Sequence, residues 1–376
     1  MSILYFTRDY TPHDYRFLTT LAAHGQEVHY LRLERQGRQL EDRALPAEVR
    51  QIVWRGGRQP FQWRDAPALL MDLRRVLNEV RPDVLHAGPI QTAAFLSALS
   101  GFRPLVSMSW GSDLLKDADR SRLYRWITQY TLNRSTVLVG DCSAVRQKAA
   151  SFGFPTDRTF IFPWGIDLQR FVPLGGENGP AESSLRARLG WQDCFVVLSL
   201  RAWEPVYGVD VLLRGFAQAA KEDPDLRLIL LGGDSQAGLV HQIIQQNDLA
   251  GRVYLGGQVN QQDLPQIYQA ADLYASASHS DGSSVSLMEA LASGLPVLLS
   301  DIPSNHEWVT GGEHGWFFPD GDDRTLAELL LRARNQPETL TKMRAAAREQ
   351  AERRADWTKN FQVLLQAYQQ AVELNH

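Results

Sequence analysis

The chain of 376 residues predicts an α/β architecture of two successive doubly wound sandwiches. Three observations carry that expectation. Short apolar runs alternate with longer helical patterns from end to end, the mark of βαβ units and a mostly parallel sheet covered on both faces. The alternation lapses over 163–184 into Pro163, Pro173, Gly175, Gly176, Gly179, Pro180, Ser183 and Ser184, a linker composition, and then restarts. At roughly 100–200 residues per domain, the length favours two domains.

The run Ile3-Leu4-Tyr5-Phe6 predicts the first strand, over 2–6. Further short apolar runs predict strands over 27–33, 51–54, 83–86, 104–109, 136–139 and 159–162, with helices over 14–24, 66–80, 90–100, 120–134 and 143–152 between them. Beyond the linker, strands are expected over 195–200, 226–231, 252–255, 273–275, 296–300 and 316–318. The intervening helices are expected over 208–221, 236–248, 263–270, 285–293, 303–309 and 323–335. The tail, 338–374, reads as helical, and Trp357, Phe361, Leu364, Leu365, Tyr368 and Val372 recur at helical spacing, so they need an apolar surface to cover. The expected domains are therefore 1–175 and 185–355, with a helical tail over 356–376.

Composition narrows the function classes. An apolar fraction of 44% and a charged fraction of 22% are those of a globular chain and exclude a disordered or collagen-like one. Residues 1–175 carry 23 Lys and Arg against 17 Asp and Glu, a net of +6, whereas the remainder carries 16 against 26, a net of −10. Two domains facing different surroundings fit that asymmetry, and neither is basic enough to read as a nucleic-acid binder. Cys142 and Cys194 lie far apart and outside any Cys-x-x-Cys, so neither a disulfide framework nor a zinc site is expected, and a reducing cytoplasm is the default. The start reads directly as a strand, without the pattern of a cleaved leader, and no stretch approaches the ~18 apolar residues of a membrane span.

The most informative segment runs from Ala275 to Val297. A strand ends near Ala275, a loop of small polar residues follows, and a helix is expected from about Val285. A helix start presents unbonded backbone N–H groups and the positive end of the dipole, which suits a phosphate. Gly282, Ser283 and Ser284 allow close approach to the backbone. Asp281 lies in that loop and Glu289 inside the helix, with seven residues between them, a layout able to place Glu289 beside a ribose and Asp281 beside a sugar with a pyrophosphate between them. Taken singly, Ser283 reads rather as a helix cap and Glu289 as a solvated carboxylate.

With its surroundings, this segment resembles the retaining, nucleotide-sugar-dependent glycosyltransferases of family 4 (glycosyl transferases group 1), which have the GT-B fold. Their signature is an acidic residue, seven residues, then Glu in a Glu-Ala-hydrophobic-Ala-x-Gly-x-Pro-Val context. Here it stands as Asp281 followed by Glu289-Ala290-Leu291-Ala292-Ser293-Gly294-Leu295-Pro296-Val297. The resemblance continues, in family order, through Trp110-Gly111-Ser112-Asp113, Pro163-Trp164-Gly165-Ile166-Asp167, Arg201 to Gly208 with Val209-Asp210-Val211-Leu212-Leu213, Leu230-Leu231-Gly232-Gly233-Asp234, Val253-Tyr254-Leu255-Gly256-Gly257 and Tyr268-Gln269-Ala270-Ala271-Asp272. It implies two Rossmann-like domains facing a cleft, the second holding a nucleotide-diphosphate sugar and the first shaping the acceptor site.

It also implies roles. Arg201 matches the arginine that grips the diphosphate, Glu289 the residue on the ribose hydroxyls, and Asp281 the one on the transferred sugar. Backbone N–H groups around Ser284, Val285 and Ser286 would hold phosphate oxygens. No cofactor and no divalent metal are implied, and the Asp-x-Asp spacings (Asp117/Asp119, Asp223/Asp225, Asp320/Asp322) read as chance. Transfer would keep the anomeric configuration, the leaving phosphate taking the acceptor's proton.

Three positions depart from the pattern. Where relatives keep a Lys before Gly208, this chain has Tyr207, a phenol without charge; Arg55 or Arg58 are candidate substitutes. Asp281 replaces the more usual Glu. Trp110 stands where a His is common, and the glycine pair after the first strand is missing. On the acceptor side His13, Asp14, His86, Trp110 and Asp113 fall at carboxyl ends of first-domain strands, where open α/β sheets bind ligands, although capping or core packing explains each as well. His279 is a further candidate for contact with the nucleotide sugar.

The expected function is therefore a retaining hexosyl transfer from a nucleotide sugar to a glycan, lipid-linked or small-molecule acceptor, within cell-envelope glycan biosynthesis. The alternatives are a relative that binds without turnover and a nucleotide-sugar epimerase. A nicotinamide-dependent enzyme is disfavoured by the lack of Gly-x-Gly-x-x-Gly after strand 1. Peripheral membrane contact is expected from Lys116, Arg120, Arg122, Arg125 and Arg134 interleaved with Leu123, Tyr124, Trp126 and Tyr130, against the alternative of an ordinary solvated helix face.

Overall fold

A computed structural model describes residues 1–35, 41, 43–174, 185–233 and 235–375. The chain divides into two compact units: Met1–Phe162 with Phe361–His376, and Pro163–Asn360.

The first unit is built on seven parallel strands: β1 (Ser2–Thr7), β2 (Glu27–Arg32), β3 (Arg50–Gln51), β4 (Val84–Gly88), β5 (Leu105–Met108), β6 (Val137–Gly140) and β7 (Thr159–Ile161). Their order is β3-β2-β1-β4-β5-β6-β7. The second has six: β8 (Phe195–Ser199), β9 (Leu226–Leu231), β10 (Val253–Gly257), β11 (Leu273–Ser276), β12 (Val297–Ser300) and β13 (Gly315–Phe318), in the order β10-β9-β8-β11-β12-β13. β4, β5, β6, β8 and β12 are buried at every residue, as strands covered by helices on both faces must be. In each unit the strand order reverses once, between β1 and β4 and between β8 and β11. At such a switch point the loops leaving neighbouring strands diverge and open a crevice.

The differences from the sequence reading have local causes. The strand expected over 51–54 shrinks to two exposed edge residues, because the chain turns at Trp54 to bury its indole, whose Nε1 donates to the Arg32 carbonyl at 2.7 Å. The helix expected from 120 starts at Arg122, where the Ser121 hydroxyl caps the Tyr124 amide. The helical tail consists of two helices, Pro337–Arg354 and Trp357–Glu373. They part at Asp356, which forms an isolated bridge with Ile166.

That bridge explains where the units divide. The Ile166 amide donates to the Ala355 carbonyl at 2.7 Å, and Arg348 donates to the Phe171 carbonyl at 2.7 Å. Residues from Pro163 onward thus belong to the second unit rather than to a first domain ending at 175. A Pro- and Gly-rich composition marks the loop but not the body it is bonded to. The expected linker residues Gly175, Gly176, Gly179, Pro180, Ser183 and Ser184 lie outside the described residues, as does Asp234. From Phe361 the tail packs within the first unit, with Phe361, Leu364 and Tyr368 wholly buried. Both cysteines are free thiols.

Candidate functional site

The second unit's switch point assembles the residues on which the sequence reading depends. Arg201 lies two residues beyond the end of β8, and the segment from Ala277 to Ser284 leaves β11, the adjacent strand. A turn over Pro205–Tyr207 brings the two loops together: the His279 amide donates to the Val206 carbonyl at 2.9 Å. Gly208 permits this approach. Its φ is +58°, and a β-carbon there would stand 2.1 Å from the Ala277 carbonyl oxygen.

Ser284 is the N-cap of the helix Val285–Ala292, its hydroxyl accepting from the Leu287 amide. The first-turn amides of Val285 and Ser286 have no intrahelical partner, as at any helix start. Ser283 is held from behind by the Trp308 indole, which donates to its hydroxyl at 3.3 Å. Glu289, on the first turns of the helix, is buried and accepts from the Tyr268 hydroxyl at 2.8 Å; it is not a solvated carboxylate.

Arg201 is the electrostatic centre. Its Nη2 stands 2.7 Å from Asp281 Oδ2, and its Nη1 donates to the Ser284 hydroxyl at 2.9 Å and to that of Ser286 at 3.4 Å. The guanidinium carbon lies 4.1 Å from the centroid of the Tyr207 ring. Burial alone would lower the Arg201 pKa, but Asp281 and the phenols of Tyr207, Tyr274 and Tyr268 together hold it above the ordinary value, so the side chain stays charged. Burial raises the Asp281 pKa against the opposing pull of Arg201 and the Gly282 amide. Tyr207, where the resemblance led to the expectation of a Lys, therefore supplies an aromatic face to Arg201 instead of a second cation.

Two residues here escaped the sequence reading. Tyr274 shares a 2.8 Å hydrogen bond with the Ser286 hydroxyl, and Tyr268 also donates to the Ser286 carbonyl at 3.0 Å. Tyr268 was visible only as part of a family motif. Tyr274, in an apolar strand, carried no signal beyond its hydroxyl. His279 is turned to Asp320, with Nδ1 2.6 Å from Oδ1. Of the acids in the Asp-x-Asp spacings, Asp119 pairs with Arg125, Asp223 pairs with Arg334, and Asp322 caps a helix.

In the first unit the five candidates part company. Asp14 is buried and accepts from the Thr11 amide at 2.8 Å in a capping box, and from the Tyr5 hydroxyl at 3.2 Å. Burial pushes its carboxyl up to about 7, against the lowering by Thr11, Tyr5 and Thr7. Asp113 accepts from the amides of Ile90, Trp110 and Leu114 and from the Ser109 hydroxyl, ordering the loop after β5. His86 is wholly buried on β4, with Nδ1 2.5 Å from the Tyr368 hydroxyl, and burial lowers it to about 3. His13 and Trp110 stand together, ring centroids 5.5 Å apart, and both are partly exposed. Burial, then Arg16, lowers His13 to about 3, so it is neutral near pH 7. Arg55 and Arg58 also lie in this unit.

Comparison with known proteins also divides the chain in two, between residues 170 and 182. Residues 13–170 match the family described as Glycosyltransferase Family 4, and residues 182–350 the family described as Glycosyl transferases group 1. A D-inositol 3-phosphate glycosyltransferase of Kineococcus radiotolerans is 28% identical over 65% of this chain and 59% of its own length. A mannosylfructose-phosphate synthase of Agrobacterium fabrum is 26% identical over 57% of this chain and 48% of its own. The chain thus spans between about half and three-fifths of the length of these curated relatives. Among solved structures, Anabaena HepE in complex with UDP superposes with a TM-score of 0.79 at 20% identity, over 98% of this chain and 100% of that one. The sucrose-phosphate synthase of Thermosynechococcus elongatus reaches 0.80 at 18% identity, over 98% and 99%. At these identities the likeness shows the fold, GT-B.

Proposed function

We infer that this chain, which belongs to the family 4 and group 1 glycosyltransferases, moves a glycosyl group from a nucleotide-diphosphate sugar to an acceptor hydroxyl. The observation that carries the reading is the convergence, at one switch point, of a charged buried arginine, a capped helix start and a buried glutamate. Arg201 and the first-turn amides answer the diphosphate, Glu289 the ribose and Asp281 the sugar. Transfer retains configuration: the bond from the anomeric carbon to the phosphate oxygen breaks, the acceptor oxygen bonds to the same face, and its proton passes to the departing phosphate. Developing charge on that phosphate is stabilised by Arg201 and the helix dipole, so no divalent metal is needed. Uridine is the base to test first, since HepE was solved with UDP and with UDP-glucose. The relatives' names point to phosphorylated polyols and sugars as acceptors to try first. His13 and Trp110 are the acceptor-side residues of choice, because Asp14, Asp113 and His86 are engaged within the fold.

The decisive experiment is transfer from UDP-, GDP- and ADP-sugars, with and without a chelator, by the wild type and by Arg201→Ala and Glu289→Ala. Loss of transfer in both variants, and indifference to chelation, are expected. Full activity in both variants would sink the assignment.

A cytoplasmic enzyme touching a membrane surface is the reading of the first unit that exposure favours. No helix among the described residues is long and apolar enough to cross a bilayer. Yet Leu123, Trp63 and Trp126 are exposed, and both indoles pack edge-on against Phe95, with centroids 5.8 and 6.0 Å away. Residues 121–140 hold Arg122, Arg125 and Arg134 and no acid. Exposed indoles beside Arg122 and Arg134, with Arg125 paired to Asp119, suit an anionic headgroup layer. Sedimentation with anionic vesicles at low salt, lost in Trp63→Ala/Trp126→Ala, is expected; no binding at low salt refutes it.

A further inference from the structure

The planar edge of a guanidinium formed by Nε and Nη2 accepts two oxygens of one carboxylate or phosphate side by side. In Arg201 one nitrogen of that edge already faces a carboxylate of the chain itself. Nη2 lies 2.7 Å from Asp281 Oδ2, with the two side chains 14% and 15% exposed. Nε, on the same edge, is buried and has no hydrogen-bond partner among the described residues. Arg201 does not depend on Asp281 for its place, since Nη1 is held by Ser284 and Ser286 and the Tyr207 ring covers one face.

We propose that Asp281 is a specificity-determining residue that sets the nucleotide sugar against the free nucleotide. The proposal rests on the reading of this site as the one that holds the nucleotide sugar. A diphosphate that takes the Nε and Nη2 edge arrives beside the Asp281 carboxylate, which must give way or stand against it as a like charge. A carboxylate displaced within a largely buried loop then needs new hydrogen-bond donors, or it stays near the phosphate as a competing anion. The Gly282 amide already serves Oδ1 at 3.0 Å. The hydroxyls of a transferred sugar would serve Oδ2. A free nucleoside diphosphate brings none, so it is held less tightly than its phosphates alone would dictate, and the product leaves more readily. Were Asp281 only a support for Arg201, removing it would weaken both ligands, so the two roles predict opposite signs.

The test is calorimetric titration of the full chain with UDP and with UDP-glucose, for the wild type, Asp281→Asn, Asp281→Ala and Glu289→Gln, each checked for folding by circular dichroism. In both Asp281 variants UDP is expected to bind about ten-fold tighter, the order of effect of neutralising an anion beside a phosphate's arginine. UDP-glucose should bind no tighter than in the wild type, so the preference for the sugar nucleotide contracts. Glu289→Gln, at the ribose common to both ligands, should move both affinities by one factor. UDP affinity unchanged or reduced in a folded Asp281→Asn overturns the proposal while leaving the site's assignment intact. If the wild type binds neither UDP, GDP nor ADP, the assignment falls and the proposal with it.

Discussion

Replacing Gly208 by alanine tests whether the close approach of two loops builds the site. Gly208 begins the helix Val209–Glu222 with φ of +58°. A non-glycine residue held in that left-handed region costs roughly 1–2 kcal/mol. The added β-carbon would also stand 2.1 Å from the Ala277 carbonyl oxygen, so backbone must move, and overpacking of this kind costs about 1–3 kcal/mol. Together the penalty is about 2–5 kcal/mol. In a body the size of Pro163–Asn360 that corresponds to a fall in melting temperature of roughly 5–15 °C. The segment forced to yield continues through His279, bonded to Val206, into Asp281, so affinity for the nucleotide should fall too. Scanning calorimetry with and without UDP reads both effects. Gly238→Ala is the control: its β-carbon meets nothing within 4 Å inside the helix Ala237–Gln246, and it should be neutral or stabilise by up to ~1 kcal/mol. A Gly208→Ala protein that melts within about 1 °C of the wild type and binds UDP equally well would refute the reasoning.

Two further predictions concern single buried groups. Tyr268→Phe leaves Glu289 and the Ser286 carbonyl without a hydroxyl donor, which should cost about 1–3 kcal/mol of stability and raise the KM for the nucleotide sugar more than it lowers kcat; steady-state kinetics with an unchanged KM would count against an orienting role for Tyr268. Asp14, pushed up to about 7 from 3.8 by burial, keeps a proton in the folded chain that the unfolded chain has lost. Its contribution to stability therefore falls as pH rises from about 4 to 7 and levels off above. Asp14→Asn cannot ionise, so its melting temperature should climb relative to the wild type across that window; a difference that stays constant from about pH 4 to 8 would show that Asp14 titrates normally.

The sheets were legible because they depend on local pattern. Apolar runs such as Leu226–Leu231 and Val297–Ser300 are continuous, as strands covered on both faces must be. The short edge strand after β2 was overdrawn because an apolar stretch at a sheet edge reads like an interior one until the chain turns away. Five acceptor-side candidates followed from one rule, that strand ends bind ligands, and the rule cannot tell a capping carboxylate such as Asp113 from one presented to a ligand. That distinction rests on amides of Ile90, Trp110 and Leu114, and the first of these is distant in sequence.

By itself the sequence determined the alternation of strands and helices and the two-unit plan, which periodicity encodes, while Arg201, Asp281 and Glu289 were picked out as a set through the resemblance to a known family. Tertiary structure alone decided how those residues are used. It placed Arg201 on Asp281 across eighty residues of chain, turned Tyr207 into a face for the guanidinium, brought Tyr268 to Glu289 and bonded Pro163–Asn360 into one body. The physical reason is that hydrogen bonds and ion pairs between distant loops depend on the order of strands in a sheet, and no local pattern of residues carries that order.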